Sequence, residues 1–280
     1  MKKLTLILFI LIFTIAARVE AKTLTFAQAT DIHLTDSKEQ EQGGRNYEDS
    51  QKALKNFVKS VNKQKDVEFV IFSGDVINES KEQDLHMFFD MISPLKKPYY
   101  VLMGNHDVHS MAGMSKDTFL EIVSKYNPKQ SPEKNFVIKP QKDITIIMLD
   151  TTASRIPSAK GLVTKNTLQW LDKQLKKNKN NIVIIAQHQP LVAPTDNESH
   201  AMFEPEKYRQ VLDKYNNVVL ILSGHFHVSN KIVDEKGITH LSTPALFENQ
   251  NYNKIKIEYT KPPFQPAKLK NITTTLIKAN

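Results

Sequence analysis

The sequence has 280 residues, 40% of them hydrophobic and 24% charged, a globular composition that excludes wholesale disorder, collagen and long coiled coils. It has no Cys, so disulfides, thiolate zinc sites, iron–sulfur clusters and cysteine nucleophiles are excluded, and any bound metal falls to His, Asp, Glu or Asn. The formal charge is +8, but the only arginines are Arg18, Arg45, Arg155 and Arg209 and the lysines are scattered, which predicts a solvated surface and no nucleic-acid binding.

Residues 1–21 open with two lysines, run apolar from Leu4 to Ala17, and place Val19 and Ala21 at the minus-three and minus-one positions of a cleavage site. The apolar run is shorter than the roughly 20 residues that a membrane span needs. We therefore expect a signal peptide over 1–21 and a single exported domain over 22–280, periplasmic or extracellular. No membrane anchor is expected after cleavage, and without Cys there is no lipid attachment.

Short apolar runs follow at 23–31, 67–75, 99–107, 144–150, 182–188 and 218–225. Several are apolar almost without interruption, as strands buried on both faces are. Amphipathic helices are predicted between them at 47–63, 80–93, 115–125, 164–177 and 204–214. Strand and helix in turn imply a layered α/β fold with a partly parallel sheet. Two strand-like pieces follow at 237–246 and 253–259 with no helix expected between them, and the tail from Thr260 reads as a peripheral strand or extension.

What ends the apolar runs is informative. They stop at Asp31-Ile32-His33, Gly74-Asp75, Gly104-Asn105-His106-Asp107, His188 and Gly224-His225-Phe226-His227. Loops beyond the carboxyl ends of strands are where α/β sheets bind ligands. An extended chain would point Asp31 and His33 the same way, and likewise His225 and His227. Three of the eight glycines precede these groups, where a residue without Cβ permits close approach. Buried charge at such places is costly unless paired or metal-bound.

In this order and spacing the five motifs resemble the calcineurin-like metallophosphoesterase superfamily, over about Thr25 to Tyr259. Residues 148–152, 161–175 and 240–246 resemble its cyclic-nucleotide phosphodiesterase branch. The resemblance implies a sandwich of two mixed β-sheets flanked by helices. It makes Asp31, His33 and His227 ligands of one metal ion, Asp75 a bridge, and Asn105, His188 and His225 ligands of a second ion. The ions would be Mn, Fe or Zn. His106 would be the general acid, protonating the departing alkoxide while water held between the ions attacks phosphorus.

Two positions depart from the family pattern. Asn78 stands where many relatives have an acidic residue that orients the general-acid His; an amide would hold the ring more weakly, and Asp107 and Asn78 are both placed behind the ligands. Gln187 and Gln189 flank His188 where paired His are common. Arg45, Gln189 and His200 are candidate substrate contacts, His109 is placed at the cleft or in solvent, and His86 and His240 are structural. The expected activity is hydrolysis of a small phosphodiester or cyclic nucleotide. The alternatives are a broad phosphomonoesterase, a secreted protein phosphatase, or a weakly catalytic metal-bearing binding protein. Nothing in the sequence specifies an oligomer.

Overall fold

The computed structural model describes residues 20–36, 41–42, 45–46, 49–109, 111–153 and 158–279. In chain order the elements are β1 (Ala21–Ala29), β2 (Glu41–Gln42), β3 (Arg45–Asn46), α1 (Ser50–Lys63), β4 (Val70–Ser73), α2 (Glu82–Ile92), β5 (Tyr99–Leu102), α3 (Lys116–Tyr126), β6 (Phe136–Gln141), β7 (Ile144–Met148), α4 (Lys165–Lys177), β8 (Ile182–Ala186), α5 (Pro205–Leu212), β9 (Val218–Ser223), β10 (Asn230–Val233), β11 (Thr239–Ser242), α6 (Leu246–Asn249), β12 (Asn251–Thr260) and β13 (Lys268–Lys278). The expected signal segment lies outside the described residues up to position 19. Among the described residues no helix is long and apolar enough to cross a membrane.

All five predicted helices form, and their starts are visible in local chemistry. Ser115 accepts the Thr118 N–H and Thr164 the Thr167 N–H, capping α3 and α4, and Pro205 opens α5. Every predicted apolar run supplies a strand. One sheet has the order β13-β12-β1-β4-β5, with β1, β4 and β5 parallel; the other has the order β10-β11-β9-β8-β7-β6, with β11, β9, β8 and β7 parallel. Antiparallel strands border each parallel set.

Period-two alternation divides the strand residues among three apolar layers. Phe26, Ile71, Ile146, Ile184 and Leu222 fill the space between the sheets. Their neighbours Val70 and Phe72 pack outward on α1 and α2, while Val183, Ile185 and Ile221 pack outward on α4 and α5. The result is the expected helix–sheet–sheet–helix sandwich. Each fully buried aliphatic side chain stabilises it by about 1.5–3 kcal/mol.

The sequence reading missed five elements, of which β2 and β3 are strands of two residues each. β6 and β10 are short edge strands, β6 interrupted by Lys139 and Pro140 and β10 only four residues long with Lys231, so neither registers as an apolar run. α6 sits between β11 and β12, where no helix was expected, and its four residues are too short for any helical period to show.

Candidate metal centre

The loops after β1, β4, β5, β8 and β9 converge at one end of the sandwich. The first two are zipped together: Asp31 N–H donates to the Gly74 carbonyl at 3.0 Å, and Ile32 and His33 N–H donate to the Asp75 carbonyl at 2.9 and 3.0 Å. An extended backbone does not bring Asp31 toward His33 or His225 toward His227, as the spacing suggested. Asp31, His33, Asp75, His225 and His227 have φ of 50°, 46°, 50°, 71° and 58°, and they are five of the eight left-handed non-glycine residues among those described. Each such conformation costs on the order of 1–3 kcal/mol and persists only where the surroundings enforce it. Close approach also explains two glycines. A Cβ on Gly104 would lie 2.1 Å from Asp75 Oδ1, and one on Gly224 would lie 2.4 Å from Asp31 Oδ2.

Each acidic group has one oxygen tied back to the backbone. Asp31 Oδ2 accepts the His225 N–H and Asp75 Oδ1 accepts the His106 N–H, both at 2.8 Å. The other oxygens face imidazoles. Asp31 Oδ1 is 3.2 Å from His227 Nε2, and Asp75 Oδ2 is 3.1 Å from His188 Nε2 and 3.7 Å from His33 Nε2.

Three imidazoles are anchored on their outer nitrogen. His33 Nδ1 meets Asn78 Oδ1 at 3.2 Å, His227 Nδ1 meets Glu248 Oε1 at 3.1 Å, and His188 Nδ1 meets the Ser73 carbonyl at 2.9 Å. All three partners are oxygen acceptors, so the neutral rings carry their proton on Nδ1 and turn the Nε2 lone pair inward. His33 Nε2 and His227 Nε2 then face each other at 3.2 Å.

Burial alone would raise the Asp31 carboxyl, but His227 and His33 beside it hold it well below the usual range. Asp75 is likewise lowered, against the effect of burial, by His188 and His106. Burial would lower His188, yet Asp75 pushes it up to about 9, whereas burial and the neighbouring His188 push His225 down to about 3.

Asp31 Oδ1, His188 Nε2 and His225 Nε2 are buried and make no well-formed hydrogen bond. Such atoms are expensive in a folded interior unless a cation takes their lone pairs. Two groups of donor atoms lie close enough to share an ion each, Asp31 with His33 and His227, and Asp75 with His188 and His225. A third group, His33, Asp75 and His106, overlaps both. An oxygen- and nitrogen-rich donor set of this kind fits a pair of first-row cations.

Asn105 is half-buried and accepts the Gln189 Nε2–H on Oδ1 at 3.3 Å. His106 Nδ1 donates to the Asn78 backbone carbonyl at 2.9 Å. The reading of position 78 is thereby corrected. Its carbonyl holds His106, while its side chain serves His33. Asp107 accepts the Ile77 and Gly104 N–H groups at 3.0 and 2.7 Å, which ties the His106 loop to the Asp75 loop. Burial, reinforced by Asp75, pushes its carboxyl up to about 8.

A cleft of about 410 Å³ opens beside His106 and is lined by Asn78, Ser80, Lys81, Asn105 and His109. Larger hollows of about 670 and 760 Å³ lie beside Asn217 and Arg209, and none of the seven predicted ligands lines either. Gln189, expected to meet substrate, is instead fully buried, with Oε1 taken by Thr151 and Nε2 by Asn105. His200 stays exposed at the rim, its ring 5.7 Å from that of His225. The Arg45 side chain lies outside the described residues. His86 bonds Tyr126 and His240 bonds Asp234, away from the centre.

Glu248 is the residue that sequence reasoning missed. It lies on α6 rather than at a strand end, so the pattern that found the other groups passes it by.

Residues 24–229 match the calcineurin-like phosphoesterase family. The chain belongs to that family. As a calcineurin-like phosphoesterase it is a metal-dependent phosphoric ester hydrolase. It is 24% identical over 245 residues to the manganese-dependent ADP-ribose/CDP-alcohol diphosphatase of Arabidopsis thaliana, covering 73% of this chain and 79% of the relative. To the 3',5'-cyclic adenosine monophosphate phosphodiesterase CpdA of Haemophilus influenzae it is 25% identical over 236 residues, 83% of this chain and 80% of the relative. Its fold matches that of a dimetal phosphatase from Danio rerio with a TM-score of 0.72 at 15% identity, over 92% of this chain and 99% of the other.

Proposed function

We propose that this phosphoesterase is exported, uses two metal ions, and hydrolyses a small phosphodiester, a cyclic nucleotide in preference. The observation that carries the two-ion reading is the inward set of lone pairs: three imidazoles fixed from behind on Nδ1, and two buried carboxylates each with one oxygen held by a backbone N–H. Asp31, His33 and His227 would hold one ion and Asn105, His188 and His225 the other, with Asp75 shared. Mn, Fe and Zn all suit this donor set. When bound, the ions supply charge neutralisation for the phosphoryl oxygens and a lowered pKa for the attacking water.

The chain's own residues do the rest. The Asn78 carbonyl accepts a hydrogen bond from His106 Nδ1–H, so in the doubly protonated ring Nε2–H is the proton given to the departing alkoxide. Asp107 keeps that loop against the Asp75 loop. The diester preference is supported by the relative named as a cyclic adenosine monophosphate phosphodiesterase and by the branch resemblance of residues 148–152, 161–175 and 240–246. Export rests on the tripartite pattern of residues 1–21.

The purified protein with Mn²⁺ should hydrolyse bis-p-nitrophenyl phosphate faster than p-nitrophenyl phosphate and lose both activities on chelation. A faster monoester reaction points to a phosphomonoesterase, and bound metal without turnover points to a binding protein. His106→Ala should slow esters with poor leaving groups most while metal content stays unchanged; equal slowing of all esters would contradict the acid role. Fusion of residues 1–21 to a reporter should deliver it across the membrane, and retention in the cytoplasm would refute export.

A further inference from the structure

The two glutamines flanking His188 are both buried, and each is committed at both ends of its amide. Gln187 accepts the Tyr208 hydroxyl at 2.8 Å and donates to the Gln189 carbonyl at 2.7 Å. Gln189 leads toward the metal centre. Its backbone N–H donates to Thr151 Oγ1 at 3.2 Å, and the Thr151 hydroxyl donates to Gln189 Oε1 at 2.6 Å. The Gln189 amide lies with Oε1 toward Thr151 and Nε2 toward Asn105 Oδ1, 3.3 Å away, an orientation in which both of its ends and the Thr151 hydroxyl are satisfied. The backbone leaves little slack: a Cβ on Gly161 would come within 2.6 Å of Gln189 Cβ.

An asparagine ligand differs from a carboxylate in having one useful end. Its oxygen binds a cation and its NH₂ does not, and the two ends exchange by a half-turn that carbon packing scarcely resists. We propose that Gln189, braced by Thr151, is the positioning residue for Asn105. A donor at Gln189 Nε2 selects the amide orientation that presents Oδ1, leaving the second lone pair of that oxygen to the ion shared with His188 and His225. This rests on the ligand role proposed above for Asn105.

Gln189→Glu tests the sign of the effect. The substitution keeps the shape and adds negative charge beside the centre, so electrostatic attraction alone predicts tighter cation binding. Positioning predicts the reverse, because a carboxylate accepts only, turns the Asn105 NH₂ toward itself and takes Oδ1 from the ion. Mn²⁺ titration of the full-length protein, read by the electron paramagnetic resonance of free Mn²⁺, should show one site within about twofold of wild type. The other site should be weakened roughly 10–100-fold, the range typical of groups that orient metal ligands. Combined with Asn105→Ala, the same change should add nothing further.

Thr151→Val removes the hydroxyl that both braces the Gln189 amide and accepts its backbone N–H, so the metal-free protein should melt at a lower temperature, while among the two ion sites only that of His188 and His225 should weaken, several-fold. This variant also decides the matter if Gln189→Glu does not fold. Equal or tighter binding of both ions by Gln189→Glu, or unaltered binding by Thr151→Val, overturns the proposal. If Asn105→Ala itself leaves both sites intact, the ligand reading fails, and the positioning role with it.

Discussion

Between the sheets, Phe26, Ile71, Ile146, Ile184 and Leu222 occupy alternate positions of regular strands and pack against one another. A few residues further along the same chain segments, Asp31, Asp75 and His188 are just as deeply buried, yet they are polar, and the two aspartates have left-handed backbones. The interior layer gains stability from each buried side chain. The rim loses it, through strained dihedrals and through lone pairs that meet no proton. A cation offsets what the rim loses, and the apolar layer supports the rim until a cation arrives.

The largest effect expected of any rim substitution is that of Asp75→Asn. With the shared carboxylate neutralised, both ions should be lost and turnover should fall at least about 10³-fold, on the order of 4 kcal/mol of transition-state stabilisation. Metal analysis and steady-state kinetics check it; retention of two ions would refute the bridge. In the interior, Leu222→Ala should behave oppositely. It should lower unfolding free energy by about 2–5 kcal/mol in a denaturant melt while the folded protein still binds two ions. An interior variant that lost metal without losing stability would break the division between the two regions.

Glu248→Gln lies between these extremes. The amide oxygen can still accept the His227 Nδ1 proton, but the negative charge that makes the imidazole a better donor to a cation is gone. Affinity at the site of Asp31, His33 and His227 should fall about tenfold, by metal titration. Asp84 gives the smallest effect and sharpens the rule. It is buried at the start of α2, its Oδ2 makes no hydrogen bond, and burial, with Asp36 and Glu79 nearby, pushes its carboxyl up to about 6. A carboxyl raised in the folded state binds its proton more tightly than in the unfolded chain. Its penalty is therefore absent below about pH 4, grows through pH 4–6, and is complete above that window. Asp84→Asn should stabilise the protein by on the order of 1 kcal/mol at pH 7–8 and by nothing at pH 4, as measured by denaturant melts across pH.

How much of this was legible beforehand follows from what each residue does. Asp31, Asp75, His188 and His225, which the fold gathers into two donor clusters, stood out because an apolar strand that ends in a metal-binding type is an unusual pattern. The layered fold could be read because strands buried on both faces leave long apolar runs. The backbone at Asp31 and His33 was not legible, because two-residue spacing suits an extended chain equally well and only tertiary hydrogen bonds to Asp75 enforce the left-handed alternative. The division of labour at Asn78 was hidden for a related reason: a backbone carbonyl has no residue type, so its service to His106 leaves no trace in the sequence. Glu248 escaped because α6 is a single turn without periodicity. Gln189 was misplaced because a polar residue beside a ligand in a loop looks like a substrate contact until its burial is known.

The most direct measurement is a crystal structure of the protein soaked in Mn²⁺, with anomalous scattering collected above the manganese edge. Two peaks are expected, one among Asp31, His33 and His227 and one among Asn105, His188 and His225, with Asp75 reaching both. A single peak, or manganese bound away from these seven side chains, would contradict the two-ion centre.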